Sequence, residues 1–93
     1  MSRKYIWETP EEINRGIADK IKNIRKRRKL SQLALSELSG VSYGSIKRFE
    51  ATGDISLKSL TRIAIALNIA DDLKSIFSDI EYASLQEVIN ENR

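Results

Sequence analysis

The side chains able to do chemistry in this 93-residue chain are the charged ones. It contains no Cys and no His, so it lacks the thiolate nucleophile, the usual neutral-pH general base and the commonest metal ligands. Of the carboxylates, Asp71 and Asp72 are adjacent and their side chains diverge, while Glu11 and Glu12 sit where a helix's first turn favours negative charge. No nucleophile is paired with a base and no metal-ligand spacing occurs, so the chain is expected to be no enzyme and to need no metal or cofactor. What remains is positive charge: Arg25-Lys26-Arg27-Arg28-Lys29, then Lys47 and Arg48. The formal net charge is only +3, yet residues 13–48 carry ten basic and two acidic side chains, a net of +8, and residues 71–93 carry two basic and six acidic, a net of −4. Such a split suits a half facing a polyanion and a half facing elsewhere; a merely solvated helix end at 25–29 is the alternative.

These charges must be placed by a small fold. The length is one domain's worth, and a domain this short buries only about 60–65% of its unfolded surface, so it gains from a partner. The N-terminus has no apolar core of signal-peptide length, and the longest apolar run, Ile63-Ala64-Ile65-Ala66-Leu67, is far short of the ~20 residues that span a bilayer. A soluble, cytoplasmic protein without membrane contact is expected.

The pattern is helical nearly throughout. Thr9-Pro10-Glu11-Glu12 reads as a capping box with Pro in the first turn. The helix it opens is expected from Pro10 to Arg28, with Ile13, Ile17, Ile21 and Ile24 as its apolar stripe. Ser31 caps a second helix, Gln32 to Ser39, with Leu35 and Leu38 inward, and Gly40 ends it in the left-handed conformation. Ser42 caps a third, Tyr43 to about Ala51, with Ile46 and Phe49 inward, before a Gly53-Asp54 turn. Ser56 caps a fourth, Leu57 to Leu67, with Leu60, Ile63, Ala64 and Leu67 inward and Asn68 as its stop. A short fifth helix is expected over Asp71–Phe77, and a sixth after the Ser84-Leu85-Gln86-Glu87 capping box.

The stretch LSQLALSELSGVSYGSIKRFE, Leu30 to Glu50, joins two short helices through Ser39-Gly40-Val41-Ser42, a turn of helix-turn-helix length. It resembles the Cro and phage-repressor type of helix-turn-helix, the XRE family. The resemblance is carried by Arg25, Leu30, Ser31, Gln32, Leu35, Ser39, Gly40, Val41, Ser42, Ile46, Phe49 and Glu50, and covers roughly Ile13 to Phe77. It implies an all-α, five-helix, lambda-repressor-like DNA-binding domain over residues 9–78, with an N-terminal arm at 1–8 and a short helical extension at 79–93. Four positions depart from the family pattern. Ser36 stands where Ala is usual, and Lys29 where Gly often ends the first helix, which would force Lys29 to positive φ at about 1–2 kcal/mol. Gly44 offers no side chain on the recognition face, and the Ala51–Ile55 loop is about one residue short.

The resemblance implies a third helix docked in the major groove of double-stranded DNA. Tyr43, Gly44 and Arg48 would then face bases, with Ser45 at the margin. Arg48 could grip guanine O6 and N7; Tyr43 could instead be a surface aromatic packed on the first helix. Gln32 corresponds to the family's phosphate-clamping Gln, or is an ordinary exposed Gln near a cap. Ser42, Lys47, Lys58, Arg27 and Lys29 are candidate phosphate contacts, which fix register without reading sequence. Arg25 and Glu50 would form a structural ion pair between the first and third helices.

In the arm, Arg3 and Lys4 could reach a groove, while Tyr5, Ile6 and Trp7 suit packing on the domain or on a second subunit. Ile80, Tyr82, Leu85, Val88 and Ile89 form an apolar set on an acidic background, for docking on the domain's own core or for a dimer or partner contact. The resulting expectation is a sequence-specific transcriptional regulator, a repressor binding an inverted repeat as a homodimer. The alternatives are an antitoxin that also autoregulates its operon, with a toxin protein as partner, or a protein-interaction module on a helix-turn-helix scaffold.

Overall fold

The computed structural model describes residues 8–78. The readings placed on Arg3, Lys4 and Tyr5–Trp7 of the arm and on the 79–93 extension, its sixth helix included, lie outside the described residues. Within them the chain is all helical: α1 (Pro10–Arg27), α2 (Gln32–Ser39), α3 (Tyr43–Thr52), α4 (Leu57–Ala66) and α5 (Ala70–Lys74).

Side-chain caps start four of these helices. Thr9, Ser31, Ser42 and Ser56 each accept a bond from the backbone N–H three residues on, at 2.9–3.1 Å. Glu12 returns the favour at α1 by accepting from the Thr9 N–H at 2.9 Å. Two helices end in a matched pair of Schellman turns. At α1, Lys29 adopts φ 58°, its N–H bonds the Lys26 carbonyl at 2.9 Å and the Leu30 N–H bonds Arg25 at 3.2 Å. At α4, Asn68 adopts φ 63°, with Asn68 N–H on Ile65 at 3.0 Å and Ile69 N–H on Ala64 at 2.8 Å. Leu30 and Ile69, the residues after each left-handed one, pack against the core. Lys29 therefore keeps the sharp exit that a Gly would give more cheaply.

The core is Ala18, Ile21, Leu35, Val41, Ile46, Phe49, Ile63 and Leu67, with Ile24, Leu30, Ile55, Leu60, Ala66 and Ile69 packed around it. Gly53 closes α3 at φ 86° and lies hard against α1: a Cβ there would come within 2.8 Å of the Arg15 nitrogen and the Asn14 carbonyl carbon. The close approach fixes the α1–α3 crossing, and Arg15 adds a bond to the Ala51 carbonyl at 3.2 Å.

Three apolar assignments fail. Ile13 and Ile17 are exposed: α1, 18 residues long, outruns the 10-residue α3, and its first half packs through Asn14, Arg15 and Ala18 rather than through that stripe. Leu38 is 62% exposed. The inward row of α2 is Gln32, Leu35, Ser36 and Ser39, at helical spacing, and three of these four are polar residues that find partners inside. Leu38 falls on the far edge of that row. The fifth helix stops at Lys74, and Phe77 is exposed beyond it.

Candidate nucleic-acid interface

The turn between α2 and α3 is tied by two serines around one buried residue. Val41 is buried under the turn; the Ser36 hydroxyl donates to its carbonyl at 2.6 Å, and its N–H donates to the Ser39 hydroxyl at 3.1 Å. The hydroxyl of Ser36 thus does what the more usual Ala could not. Gly40, at φ 76°, makes the bend. The Ser42 hydroxyl caps α3 and also donates to the Ser45 hydroxyl at 2.8 Å.

This frame fixes which face of α3 is outward. Ile46, Phe49 and Glu50 are buried; Tyr43, Gly44, Lys47 and Arg48 are exposed and Ser45 is half-buried. The Lys47 ammonium lies 4.7 Å from the Tyr43 ring centroid, a cation–π stack on the outer surface. Arg48 Nη2 lies 2.7 Å from Asp54 Oδ2. Arg48 and Asp54 line a polar cleft of about 370 Å³ with Ser45, Ile55, Ser56 and Ser59, between α3 and the start of α4.

The acid of α3 is taken inward. Arg25 Nε and Nη2 grip Glu50 Oε2 and Oε1 at 2.7 and 3.0 Å, and Arg25 Nη1 donates to the Leu30 carbonyl at 2.6 Å. Gln32 Nε2 donates to the same Glu50 Oε1 at 2.8 Å. Burial pushes the Glu50 carboxyl up, but the hydrogen bonds from Arg25 and Gln32 and the charges of Arg25 and Lys22 outweigh it and hold the group below its ordinary value.

Three groups of candidate residues are therefore brought together: Arg25 with Glu50 and Gln32, Tyr43 with Lys47, and Ser42 with Ser45. Arg27, Lys29 and Lys58 stand exposed and enter no ion pair among the described residues. Two contacts had no sequence signal. Gln32 to Glu50 joins a cap-proximal amide to a residue 18 positions on. Asp54 reaches Arg48 from outside the helix, at a spacing that no helical period marks.

A model of the helix-turn-helix family matches residues 21–73, more than half of the chain, centred on α2, its turn and α3. The chain belongs to the helix-turn-helix family. Its helix-turn-helix is of the XRE type, a family of DNA-binding regulators and not of enzymes. Among curated proteins and among solved structures no match was found. The described residues of this helix-turn-helix domain include no helix long and apolar enough to cross a membrane and no cluster of three potential metal-ligating side chains.

Proposed function

We propose that this helix-turn-helix protein is a sequence-specific transcriptional repressor that lays α3 in the major groove of an inverted repeat as a homodimer. The observation that carries the reading is the polarity of α3. Its one acid, Glu50, is buried against Arg25, so the exposed face presents Tyr43, Lys47 and Arg48 with no carboxylate of the helix itself. On this reading Tyr43, Gly44, Ser45 and Arg48 face base edges. Ser42, Lys47, Lys58, Arg27 and Lys29 hold phosphates. Gln32, already bonded to Glu50, offers its remaining amide hydrogen to a phosphate at the start of α2. The protein then acts inside the cell, on the nucleoid.

The homodimer is supported by size and by surface. One module of this size discriminates weakly, whereas two α3 helices one turn of DNA apart read a pseudo-palindrome. Among the described residues Leu57, Ile65, Ile76 and Phe77 are exposed along an apolar groove of about 730 Å³ beside α4 and α5, a face that suits a second copy. The same groove favours a second reading, an antitoxin whose toxin occupies it.

Selection from random duplexes at about 150 mM salt, where specific and non-specific binding separate, tests the proposal. An enriched inverted repeat bound by two protomers supports it. No enriched motif, with binding that vanishes as salt rises, overturns it. One protomer on a half-site removes the homodimer.

A further inference from the structure

Arg48 carries the guanidinium of the outward face of α3, and it is already engaged. Its partner Asp54 lies past the helix, one residue after Gly53 has turned the chain back at φ 86°. The carboxylate is aimed by the loop: the Asp54 N–H donates to the Thr52 hydroxyl at 3.1 Å, and that hydroxyl donates to the carbonyl of Arg48 itself at 2.7 Å. Both side chains are solvated, at 70% and 62% exposure, so the pair is easily broken. Glu11 lines the adjoining hollow with Arg48 and Asp54 but makes no ion pair among the described residues, where Asp54 is the acid that engages Arg48.

We propose that Asp54 is a specificity-determining residue: it withholds Arg48 from the phosphate backbone, so that DNA of arbitrary sequence is bound without Arg48 and only a guanine in register recruits it. The inference rests on the reading of α3 as the DNA-facing helix. A phosphate offers Arg48 only an exchange of one oxyanion for another, and it strands the Asp54 carboxylate beside a polyanion. Guanine makes no such demand. A guanidinium has five N–H donors; Asp54 stands against Nη2 alone as an ion-pair partner, and the donors left suffice for a two-bond grip on O6 and N7. The pair can therefore persist at the right sequence, neutralising Asp54 there, and biases Arg48 by up to about five-fold against capture at the wrong one.

The test is a set of anisotropy titrations on a random-sequence duplex and on the duplex enriched by selection, each over a range of salt. Asp54→Asn, Arg48→Ala, their double variant and, as a charge control, Glu11→Gln are compared with the wild type. Asp54→Asn is expected to tighten binding to the random duplex by up to about five-fold, the worth of an exposed ion pair, and to steepen its salt slope by about one counter-ion. Its affinity for the enriched duplex changes less, so discrimination falls. Glu11→Gln leaves the slope alone, and in the Arg48→Ala background Asp54→Asn no longer steepens it. An unchanged slope for Asp54→Asn overturns the proposal. So does a slope that steepens equally without Arg48, which would reduce Asp54 to a repelling charge. Failure of the underlying reading looks different: selection enriches no duplex at all, so there is no specific affinity for Arg48→Ala to lose.

Discussion

Arg25 on α1 and Glu50 on α3 meet through two parallel bonds, 2.7 and 3.0 Å long, with both side chains almost wholly out of water. Gln32 at the start of α2 closes on the same carboxylate, so one group ties three helices. Removing Glu50 leaves the Arg25 charge buried with the Leu30 carbonyl as its remaining partner. Glu50→Ala is expected to cost about 3–5 kcal/mol, as breaking a buried pair from one side does. A joint apolar replacement of both residues should cost less than either single change. Urea titrations of the three variants measure this; a melting curve unchanged by Glu50→Ala would end the structural assignment.

The same contacts set an acid limit. The folded state holds the Glu50 carboxyl below its ordinary value of 4.5, so the domain gains stability while this group is ionised. A depressed carboxylate contributes fully above its unfolded-state value and is lost as pH falls through the lower folded-state one. The melting temperature should therefore fall as pH drops below about 4.5. Glu50→Gln should start lower and decline less steeply over that interval. Parallel curves for the two proteins would mean that other carboxylates govern acid unfolding.

How much of this was legible beforehand depends on what encodes each feature. Caps are local, and Thr9, Ser31, Ser42 and Ser56 declare their helices by residue type and spacing. The Gly40 bend and the inward Ile46 and Phe49 are equally local. Leu38 was misread because hydropathy cannot tell that Ser36, Ser39 and Gln32 would claim the inward row by bonding to the turn and to Glu50. Ile13 and Ile17 form a sound stripe on a helix that outruns its neighbour, and length mismatch between helices is a property of the assembly. The Asp54–Arg48 pair depends on the path of the loop after Gly53, which no periodicity records.

Lys29 separates conformation from charge. It holds φ 58° at the end of α1, where a side chain costs about 1–2 kcal/mol and Gly is free of that strain but loosens the unfolded chain. Lys29→Gly should leave stability unchanged or raise it by up to about 1 kcal/mol. Lys29→Val, unable to enter that region comfortably, should lower it. If the ammonium holds a phosphate, Lys29→Gly also weakens binding evenly across sequences and lowers the salt slope by about one. A slope that stays at the wild-type value would place Lys29 away from DNA.

Gly44 offers the sharpest separation of folding from recognition. It is the second residue of α3, and a Cβ built there meets nothing within 4 Å. The free domain thus has no steric need for Gly, and a helix position held by Gly is weaker than one held by Ala. Gly44→Ala is expected to raise stability by about 0.5–1 kcal/mol. The position instead suits close approach of the α3 backbone to a base edge or a thymine methyl, which an added methyl would obstruct. Binding to the enriched duplex should then weaken by about 1–3 kcal/mol, the scale of one mismatched base pair, while binding to random duplex changes little. Stability and specific affinity therefore move in opposite directions in one variant. If Gly44→Ala melts higher and binds the enriched duplex as tightly as the wild type, the start of α3 does not approach DNA closely. Base reading would then have to rest on the side chains of Tyr43, Ser45 and Arg48.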